Sequence, residues 1–182
     1  MEIEFRLATK NDADFLTWGV PEALHTSLTP EQTEAFSALL LREDVLYSWK
    51  NAIIAQDTVT KQPLGMVIGY DGGRYRDMRA ATFPTMQKIF KSDYSAMDDE
   101  SVEGEFYIDS LAVRPEARCM GLGKRLLLEA MEHSRRLGLK KAVLAVDPEN
   151  VNAQRLYKSL GFVPGGELFI FGQTFWRWVK EF

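Results

Sequence analysis

The segment of this chain best suited to chemistry is Leu111–Leu127, where an apolar stretch runs into a turn containing glycines and then into an amphipathic pattern. The pattern predicts a buried strand, a tight turn and the start of a helix. The first N–H groups of a helix lack partners within it, and the helix dipole adds about half a positive charge there. Because glycine allows close approach to that backbone, the segment predicts a phosphate-type anion site.

Basic side chains are concentrated in the same segment, although the whole chain is acidic. Residues 114–125 include four basic residues and one acid, whereas the 182-residue chain has a net charge of −4. Lys124 and Arg125 fall at the positive end of the predicted helix, where each cation costs about 0.3–1 kcal/mol. A bound anion would offset that cost, so we favour an anion site over the alternative of a solvated basic turn.

Two common nucleotide-binding loops do not fit this segment. A Walker loop needs a leading glycine and a final Ser or Thr, but Arg118 and Arg125 occupy those positions. A dinucleotide fingerprint needs a third glycine where Leu126 stands, within an N-terminal strand–helix–strand unit. The expected ligand is therefore neither a magnesium-bound nucleotide nor a nicotinamide dinucleotide.

Two motifs in this chain resemble those of the GNAT N-acetyltransferase superfamily. The first resembles the family's pyrophosphate loop and reads Leu111-x-Val113-x-Pro115, then Arg118-x-x-Gly121-x-Gly123. The second reads Asn150-x-x-Ala153-x-x-Leu156-Tyr157-x-x-x-Gly161-Phe162. Cys119-Met120 replaces the more common basic-Gly pair of the loop. The pair of motifs, in this order and at the usual separation, is far more specific than either one.

The resemblance implies a fold, an activity and a co-substrate. The fold is α/β: a single GNAT-like domain over residues 1–182 with a mixed, largely antiparallel sheet of six or seven strands, flanked by helices on both faces. The implied N-acetyltransferase moves an acetyl group from acetyl-CoA to a primary amine of a small molecule, peptide or protein by direct attack. A non-catalytic acyl-CoA-binding regulatory module is the alternative. Residues 105–163 would form the acetyl-CoA-binding core, and residues 71–103 a substrate-side insertion.

The resemblance also implies roles for individual residues. The strand backbone at Leu111, Ala112 and Val113 would bind the pantetheine arm and the acetyl carbonyl. The arm and its thioester sulfur would also lie near Asn150, Ala153 and Tyr157. The diphosphate would be held by the loop residues Arg118, Cys119, Met120, Gly121, Leu122, Gly123, Lys124 and Arg125. Two alternatives stay open, because Asn150 could cap a helix and Tyr157 could pack in the core.

The implied reaction needs a base, because an amine with a pKa near 10.4 is only about 0.04% neutral at pH 7. Glu105 is the candidate general base, since it begins a predicted strand on the same alternating side as Leu111. Asp109 shares that side and is the reserve candidate, although either carboxylate could be a solvated charge. A backbone N–H near 111–113 would stabilise the oxyanion, and Tyr157 would donate a proton or hydrogen bond to the departing thiolate.

Other notable residues carry weaker signals. Cys119 has no evident histidine partner and is expected to be an unremarkable thiol, and His25 and His133 are expected to be bystanders. The acidic run at 98–100 could attract a cationic amine or be merely solvated. The aromatic tail could line a pocket or a dimer seam, but core packing is favoured; its members are Phe169, Phe171, Phe175, Trp176 and Trp178.

Alternation and helix-capping signals place these residues on an ordered series of elements. Strands are predicted at 3–8, 52–56, 64–70, 106–113 and 142–146, with two more around 172–173. Helices are predicted from Asp12 to before Pro21, from the Thr29 capping box to about 42, around 84–90, at 121–137 and at 150–160.

The composition is that of an ordinary globular protein, with 46% hydrophobic and 26% charged residues. The acidic balance argues against a nucleic-acid partner, and apolar runs are too short to span a membrane. One cysteine and two histidines exclude an internal disulfide and make a zinc site improbable. With no basic, apolar leader at the N-terminus, we expect a cytoplasmic protein.

Overall fold

Seven strands form one mixed sheet in the computed structural model, which describes residues 2–182. The strands are β1 (Ile3–Leu7), β2 (Ala52–Asp57), β3 (Pro63–Asp71), β4 (Phe106–Val113), β5 (Lys141–Val146), β6 (Val163–Ile170) and β7 (Gln173–Glu181). Their order across the sheet is β1-β2-β3-β4-β5-β7-β6. The pairing of β4 with β5 is parallel and the other pairings are antiparallel.

Five α-helices lie on the two faces of this sheet within the described residues. They are α1 (Ala13–Ala23), α2 (Pro30–Leu40), α3 (Tyr75–Phe90), α4 (Leu122–Arg136) and α5 (Val151–Ser159). One core cluster joins α1, α2 and α3 to the first face, and a second joins α4 and α5 to the other. The predicted α/β fold class, with a largely antiparallel sheet of six or seven strands, is therefore confirmed.

The capping signals correctly locate two of the helices. The Thr29 hydroxyl accepts a hydrogen bond from the N–H of Gln32 at 3.3 Å, and the Gln32 side chain accepts one from the N–H of Thr29 at 2.8 Å. This reciprocal pair is the predicted capping box of α2. At the end of α4, Gly138 has φ +80°, the left-handed conformation that commonly terminates a helix.

Two predicted helix boundaries were wrong because both helices contain a proline within them, Pro21 in α1 and Pro84 in α3. Helix α1 continues through Pro21 to Ala23, since proline's fixed φ is helical and only one hydrogen bond is lost near the helix end. Helix α3 begins at Tyr75, nine residues before Pro84. Its buried side chains recur at helical spacing and are Tyr75, Met78, Thr82, Met86 and Ile89.

The irregular segment 91–105 is tied to α3 by Arg79. The guanidinium donates hydrogen bonds to the Asp99 carboxylate at 2.6 Å and to the carbonyl oxygens of Met97 and Tyr94. Gln32 also donates from its side-chain amide to the Ile89 carbonyl at 2.7 Å, which ties α2 to α3.

None of the helices within residues 2–182 combines the length and apolar character that a bilayer-spanning helix needs.

Candidate active site

Strands β4 and β5 separate partway along their length, and a cleft opens between them. Their pairing covers Phe106–Ile108 against Ala142–Leu144, although both strands continue beyond it. The register of β4 against β3 shifts at Asp109, which forms a bulge. A bulge bends its strand and increases the local twist, which accounts for the separation. The edge of β4 that faces β5 is therefore unpaired beyond Ile108, and an extended ligand can bond to it.

The same bulge reverses the faces of β4, and this corrects one prediction. Tyr107 packs in the cluster on the α1–α3 face, whereas Leu111 packs against the cluster on the α4 face. The expectation that Glu105 and Leu111 share a side was therefore wrong. Glu105 is 5% exposed, forms a 2.5 Å ion pair with Arg177, and is absent from the lining of the cleft. Asp109, the reserve candidate, does line it.

The loop from Arg118 to α4 presents a row of unbonded backbone donors. Among the described residues, the N–H groups of 119–124 have no hydrogen-bond partner, whereas that of Arg125 bonds to the Gly121 carbonyl. Cys119 and Gly121 have φ values of +62° and +73°, so the chain makes two left-handed turns here. Left-handed turns of this kind direct successive N–H groups toward one concavity, which favours an anion. The predicted loop and helix start are thus formed as expected.

The basic side chains near this loop differ in their partners. Arg118 lines the cleft, but its guanidinium forms a 2.6 Å ion pair with Glu22 and donates to the Val113 carbonyl at 3.2 Å. The Arg125 guanidinium lies over the Phe5 ring, 4.8 Å from its centroid. Lys124 is exposed and makes no hydrogen bond or ion pair within residues 2–182. Of the three basic side chains among the predicted loop ligands, Lys124 is therefore the one without a side-chain partner in residues 2–182.

Helix α5 supplies the opposite wall of the cleft. Asn150 accepts a hydrogen bond at 3.0 Å from the N–H of Ala153, so it caps the helix, and it also lines the cleft. Ala153, Leu156 and Tyr157 line the same wall. The Tyr157 ring is half-buried against Phe162, and its hydroxyl makes no hydrogen bond within the described chain. Burial raises the pKa of Tyr157 to about 12, which keeps its hydroxyl protonated.

The cleft has a volume of about 650 Å³, and its lining continues past the bulge at Asp109. We call the part beyond Asp109 the second compartment. Leu111, Ala112 and Val113 line the cleft where the edge of β4 that faces β5 is unpaired. Beyond Asp109 the cleft is lined by aromatic and apolar side chains from α3, the segment after it and the β6–β7 hairpin. Those side chains are Met86, Phe90, Tyr94, Ile170, Phe171 and Phe175.

Two carboxyl groups meet in this second compartment. Glu100 is 6% exposed and accepts hydrogen bonds from the hydroxyls of Tyr107 at 2.7 Å and Tyr75 at 3.3 Å. Asp109 accepts hydrogen bonds from the hydroxyls of Tyr70 and Ser110, both at 2.8 Å. Each carboxylate oxygen accepts one of these bonds and keeps a further lone pair. A cation entering the cleft therefore finds acceptors that are already fixed in position.

Burial raises the pKa of both carboxyl groups. Burial, followed by the nearby charge of Asp109, raises the pKa of Glu100 to about 8. Burial also raises the pKa of Asp109, against the opposing effect of hydrogen bonds from Ser110 and Tyr70. The two groups titrate as a pair, and Glu100, with its pKa of about 8, holds a proton near pH 7. A carboxylate with a raised pKa beside a cleft is a typical general base.

The raised pKa of Glu100 predicts how the free energy of unfolding depends on pH. Its ordinary value is 4.5, so between about 4.5 and 8 the folded protein holds a proton that the unfolded chain releases. This contribution is complete below 4.5 and decreases as pH rises to 8, by at most about 1.4 kcal/mol per pH unit. We expect Glu100→Gln to reduce that decrease, as measured by urea unfolding from pH 5 to 8. Parallel pH profiles for the two proteins would contradict the assignment.

Several cleft residues were missed or undervalued by the sequence-based interpretation. Glu100 was noted only as part of an acidic run, whose other members bind elsewhere: Asp99 pairs with Arg79, and Asp98 accepts from the Phe169 N–H. Glu22 and His25 also line the cleft from the end of α1. No local pattern marks these residues, because they come from irregular or distant segments that tertiary packing brings together.

These features define a domain that can hold a long, phosphate-bearing ligand against an open strand edge and a second molecule beside it. The chain belongs to the acetyltransferase (GNAT) family, whose model matches residues 22–162. The resemblance recognised in the two sequence motifs is thereby confirmed.

Curated relatives are similar over a limited part of the chain. A mycothiol acetyltransferase from Thermobispora bispora is 48% identical over 59 residues, which are 32% of this chain and 19% of that protein. The mycothiol acetyltransferase from Paenarthrobacter aurescens is 43% identical over 60 residues, 33% of this chain and 18% of that protein. The chain thus matches about a fifth of the length of these relatives.

Solved structures match over nearly the whole length and share the fold. An N-acetyltransferase from Staphylococcus aureus Mu50 has a TM-score of 0.77 and 18% identity, covering 97% of this chain and 100% of that one. The PaiA N-acetyltransferase from Thermoplasma acidophilum, solved in complex with coenzyme A, has a TM-score of 0.61 and 17% identity, with 100% of both chains covered.

Proposed function

We propose that this protein transfers the acetyl group of acetyl-CoA to a primary amine by direct attack, without an acyl-enzyme. The observation that carries the proposal is the arrangement of one continuous cleft. An amide-rich loop follows one end, a tyrosine with a free hydroxyl lies on the wall, and an acidic pair lies beyond the bulge of β4. Binding, proton removal and departure of the thiolate each have a group at a suitable place.

The hydrogen-bond donors that the protein offers in the first half of the cleft suit acetyl-CoA. The free N–H groups of 119–124 and the start of α4 suit a diphosphate. The diphosphate would compete with Glu22 for Arg118, and Lys124 would add a charge at the rim. The unpaired edge of β4 at 111–113 suits the amide groups of the pantetheine arm, with Asn150 and Ala153 on the facing wall.

The second half of the cleft suits proton transfer from the acceptor. An ammonium group must lose a proton before its nitrogen can attack the thioester carbonyl, and Asp109 takes that proton. The nitrogen forms the new C–N bond as the carbonyl electrons move to oxygen, and a backbone N–H near 111–113 stabilises this oxyanion. The C–S bond then breaks as the carbonyl re-forms. Glu100, protonated near pH 7, adds no second negative charge beside Asp109.

Tyr157 completes the proton balance at the leaving group. The departing sulfur, whose thiol pKa is about 8.5, accepts a proton from the Tyr157 hydroxyl, which then recovers one from the attacking nitrogen through solvent. One of the two protons lost by the ammonium thus ends on the thiol, and the other reaches solvent by way of Asp109. A phenol with a pKa of about 12 remains able to donate throughout the working pH range.

The proposal is tested by measuring binding and transfer separately. We expect acetyl-CoA to raise the melting temperature, and a panel of primary amines to release free thiol from it. Thermal stabilisation without thiol release from any amine would favour the alternative, a non-catalytic acyl-CoA-binding module. Absence of stabilisation would contradict both.

For Tyr157→Phe we expect kcat to fall by about 10-fold or more while the affinity for acetyl-CoA is retained, because the ring still fills the wall but cannot donate a proton. Initial rates from pH 6 to 9 and calorimetric titration with acetyl-CoA measure the two quantities. Phe162→Leu is the control for packing, because Phe162 lies against the Tyr157 ring and carries no proton to donate. Unchanged turnover of Tyr157→Phe across that pH range would remove Tyr157 from the mechanism.

A further inference from the structure

The compartment beyond Asp109 has a composition that restricts the amine it can accept. Aromatic and apolar side chains from α3, the segment after it and the β6–β7 hairpin line it, together with the two carboxyls described above. The cationic side chain that lines the cleft, Arg118, lies toward the phosphate loop and is paired with Glu22. Charge complementarity therefore favours one cationic centre in the acceptor, positioned at the acidic pair, with an apolar body beside it.

A third polar group faces the same point. Tyr47 is 2% exposed and lines the cleft, and its hydroxyl makes no hydrogen bond to another group of residues 2–182. This hydroxyl therefore has a free acceptor position that a ligand in the cleft can use. An ammonium group has three donors, and the oxygens of Asp109, Glu100 and Tyr47 supply three acceptors.

The tip of the β6–β7 hairpin extends an aromatic ring into the compartment at a conformational cost. Ile170 pairs with Gln173, so Phe171 and Gly172 form a two-residue turn, with φ values of +52° and +80°. A two-residue turn of this hand favours Asn at its first position, and a bulky residue there is strained. The Phe171 ring nevertheless lines the cleft and packs edge-to-face on Tyr94 at 5.9 Å. Strain that persists beside a cleft indicates a functional demand on the side chain.

From these observations we propose that the acceptor is a primary monoamine that carries an aromatic ring. Its ammonium group lies at Asp109, Glu100 and Tyr47, and its ring packs against Tyr94 and Phe171. Edge-to-face and offset contacts with these rings stabilise an aromatic body beyond its buried area. This inference rests on the proposed function and specifies its substrate class.

Two other amine classes fit the compartment less well. The hydroxyl groups of an amino sugar would lose water against Met86, Ile170 and the aromatic rings without gaining partners. A polyamine has a second cationic centre, but the acidic pair is a single site. Of the other carboxylates that line the cleft, Glu22 is paired with Arg118 and Asp147 accepts a hydrogen bond from the N–H of Glu149. Both classes are included in the test below.

The first test compares 2-phenylethylamine with glucosamine and spermidine. We expect kcat/KM for 2-phenylethylamine to exceed both others by about 10-fold or more; equal or reversed values would overturn the inference while leaving acetyl transfer intact. Calorimetric binding of the same amines to the protein–CoA complex separates the two proposals. If no amine releases thiol, acetyl transfer fails, but a binding preference for 2-phenylethylamine still supports the acceptor class, and no preference overturns it.

The second test uses Phe171→Asn, which removes the ring while suiting the turn. We expect the ratio of kcat/KM for 2-phenylethylamine to that for ethylamine to fall about fivefold to tenfold, and the melting temperature to be maintained or raised. Phe169→Ala is the matched control, because Phe169 lies on the same hairpin, is 41% exposed and does not line the cleft. Equal losses for the two amines, or no loss for either, would overturn the inference.

Discussion

Replacing Asp109 by Asn is expected to lower kcat by about 10²- to 10⁴-fold, the range typical of a lost general base. The variant keeps the shape of the side chain and its capacity to accept from Tyr70, so the bulge and the cleft should persist. The residual rate should rise with pH up to the pKa of the free amine, because only the small neutral fraction of amine can then react. Initial rates from pH 6 to 10, with saturating acetyl-CoA, measure this change.

Two further variants distinguish Asp109 from its neighbours. Glu100→Gln should cost less than Asp109→Asn at pH 7, because glutamine resembles the protonated carboxyl that Glu100 already carries there. Glu103→Gln is the control, since it removes an exposed acid of the same loop that does not line the cleft. A larger loss for Glu100→Gln than for Asp109→Asn would exchange the proposed roles, and a similar loss for Glu103→Gln would indicate a general charge effect.

Gly123→Trp is expected to weaken acetyl-CoA binding by about 100-fold or more, because the indole would occupy the start of the ligand path. A Cβ added at Gly123 would meet the Leu111 and Leu156 side chains at 3.8 and 3.9 Å, which is ordinary contact. The backbone therefore tolerates a side chain, and that side chain points between two residues that line the cleft. Gly121 is a poorer test, since its φ of +73° makes any substitution strained.

The matched control is Leu128→Trp on the same helix. Leu128 is 46% exposed, so an indole there adds the same bulk without entering the cleft. Calorimetric titration with acetyl-CoA and thermal unfolding should show folded protein in both variants and lost affinity in Gly123→Trp alone. Undiminished affinity in Gly123→Trp would show that the diphosphate does not bind at this loop.

The loop at 118–124 and helix α5 could be predicted from the sequence because their determinants are local. Unpaired N–H groups at a helix start, glycine where φ is positive, and an Asn that caps the next helix all follow from short stretches of chain. In the structure Gly121 precedes α4 in the left-handed conformation, and Asn150 caps α5. The order of strands and helices was available from the same kind of local pattern, and the family from the two motifs at 111–123 and 150–162.

The acid–base half of the site depended on tertiary structure. The sequence alone determined where β4 begins and ends, but alternation assumes an unbroken pleat, and the bulge at Asp109 breaks it. Glu105 consequently pairs with Arg177 on another strand, whereas Glu100, from an irregular segment, reaches the cleft beside Asp109. Register shifts and loop paths are set by packing between distant segments, so no local pattern encodes which carboxylates meet.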